Sequence, residues 1–293
     1  METTKRRLIN HLRAHSRGPK LATAVPGLTL FRSEHPTEPV RSLYNPRICI
    51  VLQGRKQICL DRTRLDVGSD DYLVAVIDLP VSANITEATP SEPHFSLTLD
   101  LDAELIVDLL FQEETRGGTI ETAGAKTAPQ NEDILEPFER LVRLLDRPAD
   151  IRVIAPLIKR EIHYRLLVGS LSALVRQSGT SGTQISRIAE ATAWIKANFN
   201  KAVSVADLAQ MTGMSITSFH RAFKSATGSS PLQFRTRLRL HEARRRFILG
   251  GSKAGTIAFE VGYDNQSQFN REYRRMFGVS PLGDVTPNHD DGQ

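Results

Sequence analysis

Two stretches read against each other decide the fold. The first is Phe219-His220-Arg221-Ala222-Phe223-Lys224, followed by Thr227-Gly228-Ser229-Ser230-Pro231-Leu232. The second is Phe269-Asn270-Arg271-Glu272-Tyr273-Arg274, followed by Phe277-Gly278-Val279-Ser280-Pro281-Leu282. At an offset of 50 the aromatic pairs, the basic positions and the Gly-x-Ser-Pro-Leu ends coincide. Upstream the offset is 49, where Ala209 matches Ala258 and Gly213 matches Gly262, so the second copy carries one extra residue in its turn. A duplication of this length is a repeated supersecondary unit. Each copy spells helix, tight turn, helix. Ser204 with Asp207 starts the first helix, Gly213 ends it four residues past Ala209, and Ser215 is placed to cap the second helix. In copy two the cap falls to Asp264 or Asn265. Phe219 and Phe223, four apart, give the second helix its buried stripe. This is the helix-turn-helix pattern, whose second helix enters the DNA major groove.

Ser230-Pro231 opens a long connecting helix, expected to run to about Leu249 and stop at Gly250-Gly251. Some 18 residues at 1.5 Å each span about 27 Å. Successive major-groove faces lie about 34 Å apart, so a monomer can address two adjacent groove segments.

Charge follows the repeat. The 293-residue chain carries 38 basic and 33 acidic residues, a net of +5. Residues 181–293 hold 15 of the Lys and Arg and nine of the Asp and Glu, whereas residues 1–180 are almost balanced. A basic module joined to a near-neutral one points to a polyanion as the partner of the former. No apolar run is long enough to cross a membrane, the basic N-terminus is not followed by a secretory apolar stretch, and two cysteines cannot build a disulfide scaffold. A cytoplasmic protein is expected, with no membrane partner.

The polar stretch Gln177-Ser178-Gly179-Thr180-Ser181-Gly182-Thr183 divides the chain. The expected organisation is a sensing and dimerisation domain over 1–176, a linker over 177–184, a DNA-binding domain over 185–283 and a disordered tail over 284–293. Residues 20–100 read as short strands punctuated by proline, a β-sandwich or small barrel. Ile48–Leu52 and Ile58–Leu60 flank Gln53-Gly54-Arg55-Lys56 and are expected to form a hairpin. That pairing would set Cys49 and Cys59 diagonally, on opposite faces, as free thiols. Residues 112–131 read as a loop. Helical stripes follow at Leu135, Phe138, Leu141, Val142 and Leu145, and at Ile154, Leu157, Ile158, Ile162 and Leu166. The latter can pack on its own domain or on a second subunit.

The C-terminal motifs resemble the AraC/XylS family of bacterial transcription regulators. They include Arg239-Leu240-His241-Glu242-Ala243-Arg244, Val261-Gly262-Tyr263 and the run from Gln268 to Pro281. Tyr44-Asn45-Pro46, Val51-Leu52-Gln53-Gly54-Arg55-Lys56, Leu79-Pro80-Val81 and Glu161–Leu167 resemble a subgroup of that family's effector domains. The resemblance implies an α+β protein of two domains. The N-terminal one is a cupin-like β-barrel with flanking helices; the C-terminal one is all-α, with two helix-turn-helix modules joined by a long helix. It further implies promoter DNA, a small-molecule effector of unknown identity, and a homodimer as partners, with RNA polymerase a further contact. By resemblance, Thr217, His220 and Arg221 reach base edges from the first module. Gln266, Ser267, Asn270 and Arg271 occupy the same face of the second, where Arg suits guanine and Gln or Asn suits adenine. Lys224, Arg274 and Arg275 are assigned to the phosphate side. Arg244, Arg245 and Arg246 fit a solvated or acid-paired helix surface as well as DNA.

An enzyme is the rival class. A metal-dependent cupin needs clustered His and carboxylate ligands, and His11, His15, His35, His94 and His163 show no such pairing on a strand. No phosphate-binding loop or nucleophile elbow occurs. No catalytic residue, cofactor or metal is assigned. The remaining alternative is an effector-independent regulator whose N-terminal half serves only for dimerisation.

Overall fold

The structure is a computed structural model, and it describes residues 1–16, 18–61, 63–112, 120–248 and 254–285. The chain opens with α1 (Glu2–His15). The strands β1 (Lys20–Ala22), β2 (Leu28–Ser33), β3 (Val40–Tyr44), β4 (Arg47–Gln53), β5 (Arg55–Leu60), β6 (Thr63–Val67), β7 (Asp71–Ala75), β8 (Leu79–Glu87) and β9 (His94–Asp100) follow. Then come α2 (Ala103–Gln112), β10 (Ala125–Pro129), α3 (Glu132–Arg143), α4 (Pro148–Val168) and α5 (Ser172–Gly179). The remainder is helical: α6 (Gln184–Ala197), α7 (Val205–Met211), α8 (Ile216–Thr227), α9 (Pro231–Ile248), α10 (Ala254–Glu260), α11 (Gln266–Phe277) and α12 (Pro281–Val285). No helix among the described residues is long and apolar enough to cross a membrane.

The strands form two antiparallel sheets, ordered β1-β2-β9-β4-β7-β10 and β3-β8-β5-β6. This corrects the expected hairpin. β4 lies between β7 and β9, and β5 lies between β6 and β8, so Gly54 is a corner where the chain leaves one sheet for the other. Cys49 therefore faces Leu73 and Thr98, while Cys59 sits opposite Arg64 and Ser82. Both thiols are free, and they belong to different sheets. A second correction concerns 112–131. Ala125–Pro129 forms an edge strand on β7, and residues 113–119 of that stretch lie outside the described residues.

α1 and α3 pack beside the sheets through Leu8, Leu12, Leu135, Phe138 and Leu141, all fully buried. The α4 stripe splits in two. Ile151, Ala155, Ile158, Ile162 and Leu166 face inward, whereas Val153, Leu157, Tyr164 and Val168 stay exposed on the other side. His163, fully buried, ties α4 to the start of α2: its Nε2 accepts the Asp102 N–H at 2.9 Å, and Nδ1 donates to the Lys159 carbonyl at 2.7 Å. Burial lowers its pKa.

One apolar core runs from the sheets through α6, α7, α8 and the first half of α9, ending at Phe234 and Leu238. A second core gathers Leu240, Ala243 and Phe247 from the rest of α9 with Ile257, Phe269 and Tyr273. The first helical module is thus continuous with the sheet domain. The Gly124 N–H donates to the Ala226 carbonyl at 3.0 Å, Lys196 pairs with the buried Asp78 at 2.7 Å, and Arg237 lies 3.8 Å from Asp61. Gln177, Ser178 and Gly179 of the expected linker are helical in α5, and Thr183 caps α6 by accepting from the Ser186 N–H.

Candidate nucleic-acid interface

The two modules repeat bond for bond. In the first, the N–H groups of Thr212, Gly213 and Met214 donate to the carbonyls of Leu208, Gln210 and Ala209. In the second, Val261, Gly262 and Tyr263 donate to Ile257, Phe259 and Ala258, the same pattern 49 residues on. Gly213 and Gly262 have φ of +63° and +94°, a region closed to most side chains, which is why glycine stands at both turns. Ser215 then caps α8, accepting from the Ser218 N–H, and Asn265 caps α11, accepting from the Gln268 N–H. The offset has become 50 there, so Asp264 is the inserted residue. Phe219–Phe223 and Phe269–Tyr273 have centroids 5.5 Å apart in both modules, tilted by 53° and 56°. Both helices end on left-handed glycines, Gly228 and Gly278.

With those aromatics inward, the opposite faces of α8 and α11 are solvent-facing. Thr217, His220, Arg221 and Lys224 are all exposed on α8. Gln266, Ser267, Asn270, Arg271, Arg274 and Arg275 are exposed on α11. Gln266, Asn270, Arg271 and Arg274 line a shared groove with Ser280 and Leu282. None of the Arg and Lys residues in these two sets has a carboxylate partner among the described residues. The run in α9 behaves differently. Arg244 pairs with Asp284 at 3.0 Å, Arg245 with Glu242 at 2.8 Å, and Arg246 with Glu242 and Glu260 at 2.8 and 2.7 Å. Of the two sequence alternatives, acid pairing is the one observed. Asp284, assigned from sequence to a tail, belongs to α12 and also accepts from the Tyr273 hydroxyl at 2.5 Å. Residues 286–293 of that tail, and the helix stop at Leu249 to Gly251, lie outside the described residues.

Sequence reasoning missed the junction between modules. Arg239, midway along α9, donates to the Phe199 carbonyl at 2.7 Å and the Lys201 carbonyl at 3.2 Å, beyond the end of α6. Its guanidinium also stands 5.6 Å over the Tyr263 ring of the second module. A Cβ on Gly262 would lie 2.4 Å from the Asn200 carbonyl oxygen, so the second turn abuts the segment that follows α6. It also left unassigned a cavity of about 360 Å³ between the sheets, lined by Phe31, Val40, Tyr44, Arg47, Lys56 and Ile85 among others. The available signal was strand parity: Lys56 shares its strand face with Ile58 and Leu60, both buried. His11 and His15 both face the Asp146 carboxylate, at 3.3 and 2.9 Å.

Comparison with known proteins matches residues 24–174 to the family described as AraC-type transcriptional regulator N-terminus. Residues 208–283 match a helix-turn-helix domain family. The chain is similar to the HTH-type transcriptional activator RhaS of Yersinia pseudotuberculosis, at 27% identity over 52% of this chain and 55% of that protein. It is also similar to RhaS of Escherichia fergusonii, at 29% over 50% and 52%. The match spans about half the length of these relatives. Among solved structures, ToxT of Vibrio cholerae with a bound unsaturated fatty acid aligns with a TM-score of 0.55 at 10% identity, covering 88% of this chain and 94% of that one. ToxT bound to (E)-4-(8-methylnaphthalen-1-yl)but-3-enoic acid aligns with a TM-score of 0.57 at 12% identity, covering 88% and 98%. These likenesses concern the fold.

Proposed function

The chain belongs to the family of AraC-type transcriptional regulators, and we propose that it is a cytoplasmic, sequence-specific regulator reading two adjacent major-groove segments of promoter DNA. The observation that carries this reading is the repetition, in one chain, of the same capped turn presenting exposed polar side chains, and cations with no carboxylate partner among the described residues, from α8 and α11. Thr217, His220 and Arg221 read one segment; Gln266, Ser267, Asn270 and Arg271 read the next. Lys224, Arg274 and Arg275 hold the backbone. The cavity between the sheets takes a small-molecule effector, a use supported by the ligand-bound ToxT structures of the same fold. Because the first module shares its core with the sheet domain, a ligand there can bias the position of α8 directly. The exposed outer stripe of α4 supplies the homodimer contact, and the dimer unit is 1–176. RNA polymerase is the further partner if the protein activates, as its RhaS relatives are named to do.

Sequencing of DNA fragments retained by the purified full-length chain tests the reading. Enriched sites should contain two conserved blocks whose centres lie about 10 base pairs apart. Fragments with no shared sequence would overturn it.

A further inference from the structure

The cavity between the sheets holds a cation with no carboxylate partner among the described residues. Lys56 points inward from β5, and its Nζ lies 5.4 Å from the Phe31 ring centroid and 5.5 Å from that of Tyr44. Lys56 is half-buried; the buried Lys5 shows the usual alternative, its ammonium 2.7 Å from Asp70. Burial works against the charged form, but interaction with Tyr44 and Cys49 and a hydrogen bond to the Tyr44 hydroxyl outweigh it and leave the Lys56 pKa raised, so the group is an ammonium ion. Ring faces return only part of the hydration a half-buried ammonium gives up. Arg47 lines the same space, 5.0 Å over Tyr44, with its own counter-charge, Asp100, at 3.6 Å. Leu43, Ala83 and Ile85 add apolar wall.

A fixed positive charge, two aromatic faces and an apolar wall in about 360 Å³ are complementary to one class of molecule. A neutral polyol would leave Lys56 unbalanced, and a cation would be repelled by three basic groups, Lys20, Arg47 and Lys56. We propose that the effector is a small organic monoanion, a carboxylate on a compact apolar or aromatic body, with the Lys56 ammonium as its counter-ion. This inference rests on the reading of the sheet domain as an effector site.

Three probes with one body and three charges test it: 4-phenylbutyrate, 4-phenylbutanol and 4-phenylbutylamine, titrated calorimetrically into the full-length chain. The acid should bind, with the alcohol and amine weaker by about tenfold or more, the usual worth of a charged hydrogen bond. Lys56→Met should lose that preference while keeping a cooperative melt without ligand. Lys56→Arg should retain it. Equal binding of the acid to Lys56→Met, or equal binding of acid and alcohol to the wild type, would overturn the anion assignment and leave the effector reading standing. If none of the three binds, both fall.

Discussion

The Arg239 side chain bonds the Phe199 backbone carbonyl at 2.7 Å, so one side chain of the connecting helix grips the segment that follows α6. Together with its stacking over Tyr263, this fixes the rotation of the second module about α9 relative to the first. Arg239→Ala should therefore weaken binding to a two-block DNA site by about tenfold, the worth of a charged hydrogen bond. Binding to a single block should be unchanged. The variant should also tolerate one base pair added between the blocks better than the wild type does. Gel-shift titrations across a spacing series check this; an equal loss on single-block DNA would mean that Arg239 acts on stability alone.

Gly262 and Gly278 separate two costs of adding a methyl group. Both have positive φ, +94° and +79°, but a Cβ at Gly262 meets the Asn200 oxygen at 2.4 Å, whereas at Gly278 nothing lies within 4 Å. Gly278→Ala should lose about 1 kcal/mol of stability from backbone strain alone. Gly262→Ala should lose more than twice that, because backbone must also move. Urea denaturation of the two variants measures the difference, and equal losses would contradict the close approach.

The helical half was legible because its signals are local. Caps, turn glycines and aromatic pairs all lie within a few residues of one another, and the duplication repeats every one of them. The sheets were less so. Gln53-Gly54-Arg55-Lys56 has hairpin chemistry, yet β4 is buried on both faces and takes its partners from β7 and β9, choices that no local pattern encodes. Ala125-Lys126-Thr127-Ala128-Pro129 lacks β-branched bulk except at Thr127, and forms a strand because the edge of β7 needs hydrogen-bond partners. Arg239 was visible as part of a family motif, but its role depends on carbonyls 40 residues away. Lys56 was detectable from parity with Ile58 and Leu60; its lack of an acid partner among the described residues is a property of the assembled sheets alone.

The unpaired and paired arginines of the C-terminal half should respond differently to truncation. Arg271→Ala should reduce specific binding by about 1–3 kcal/mol and relax the base preference at one position. If specificity holds while the salt dependence falls by about one unit, the contact is to phosphate instead. Arg245→Ala, whose guanidinium is held by Glu242, should leave affinity and salt slope unaltered. Competition binding at several salt concentrations distinguishes these outcomes, and an Arg245 effect as large as that of Arg271 would count against α11 as the reading helix.

His94 should make the sheet domain acid-sensitive. It is fully buried at the start of β9, with Nε2 on the Ser96 hydroxyl at 2.9 Å and Nδ1 without a hydrogen-bond partner among the described residues. Burial, and then the nearby Lys56 charge, push its pKa from 6.5 down to about 3. The folded state thus keeps the ring neutral where the unfolded chain binds a proton. Its stability contribution is fully present above pH 6.5 and is lost as pH falls toward 3. Each unit in that window costs about 1.4 kcal/mol, so roughly 2 kcal/mol is gone by pH 5. Unfolding free energies measured from pH 7 to 4.5 for the wild type and His94→Gln should converge as pH falls, because the variant lacks this proton uptake. Parallel curves would show that His94 does not titrate on unfolding in that range.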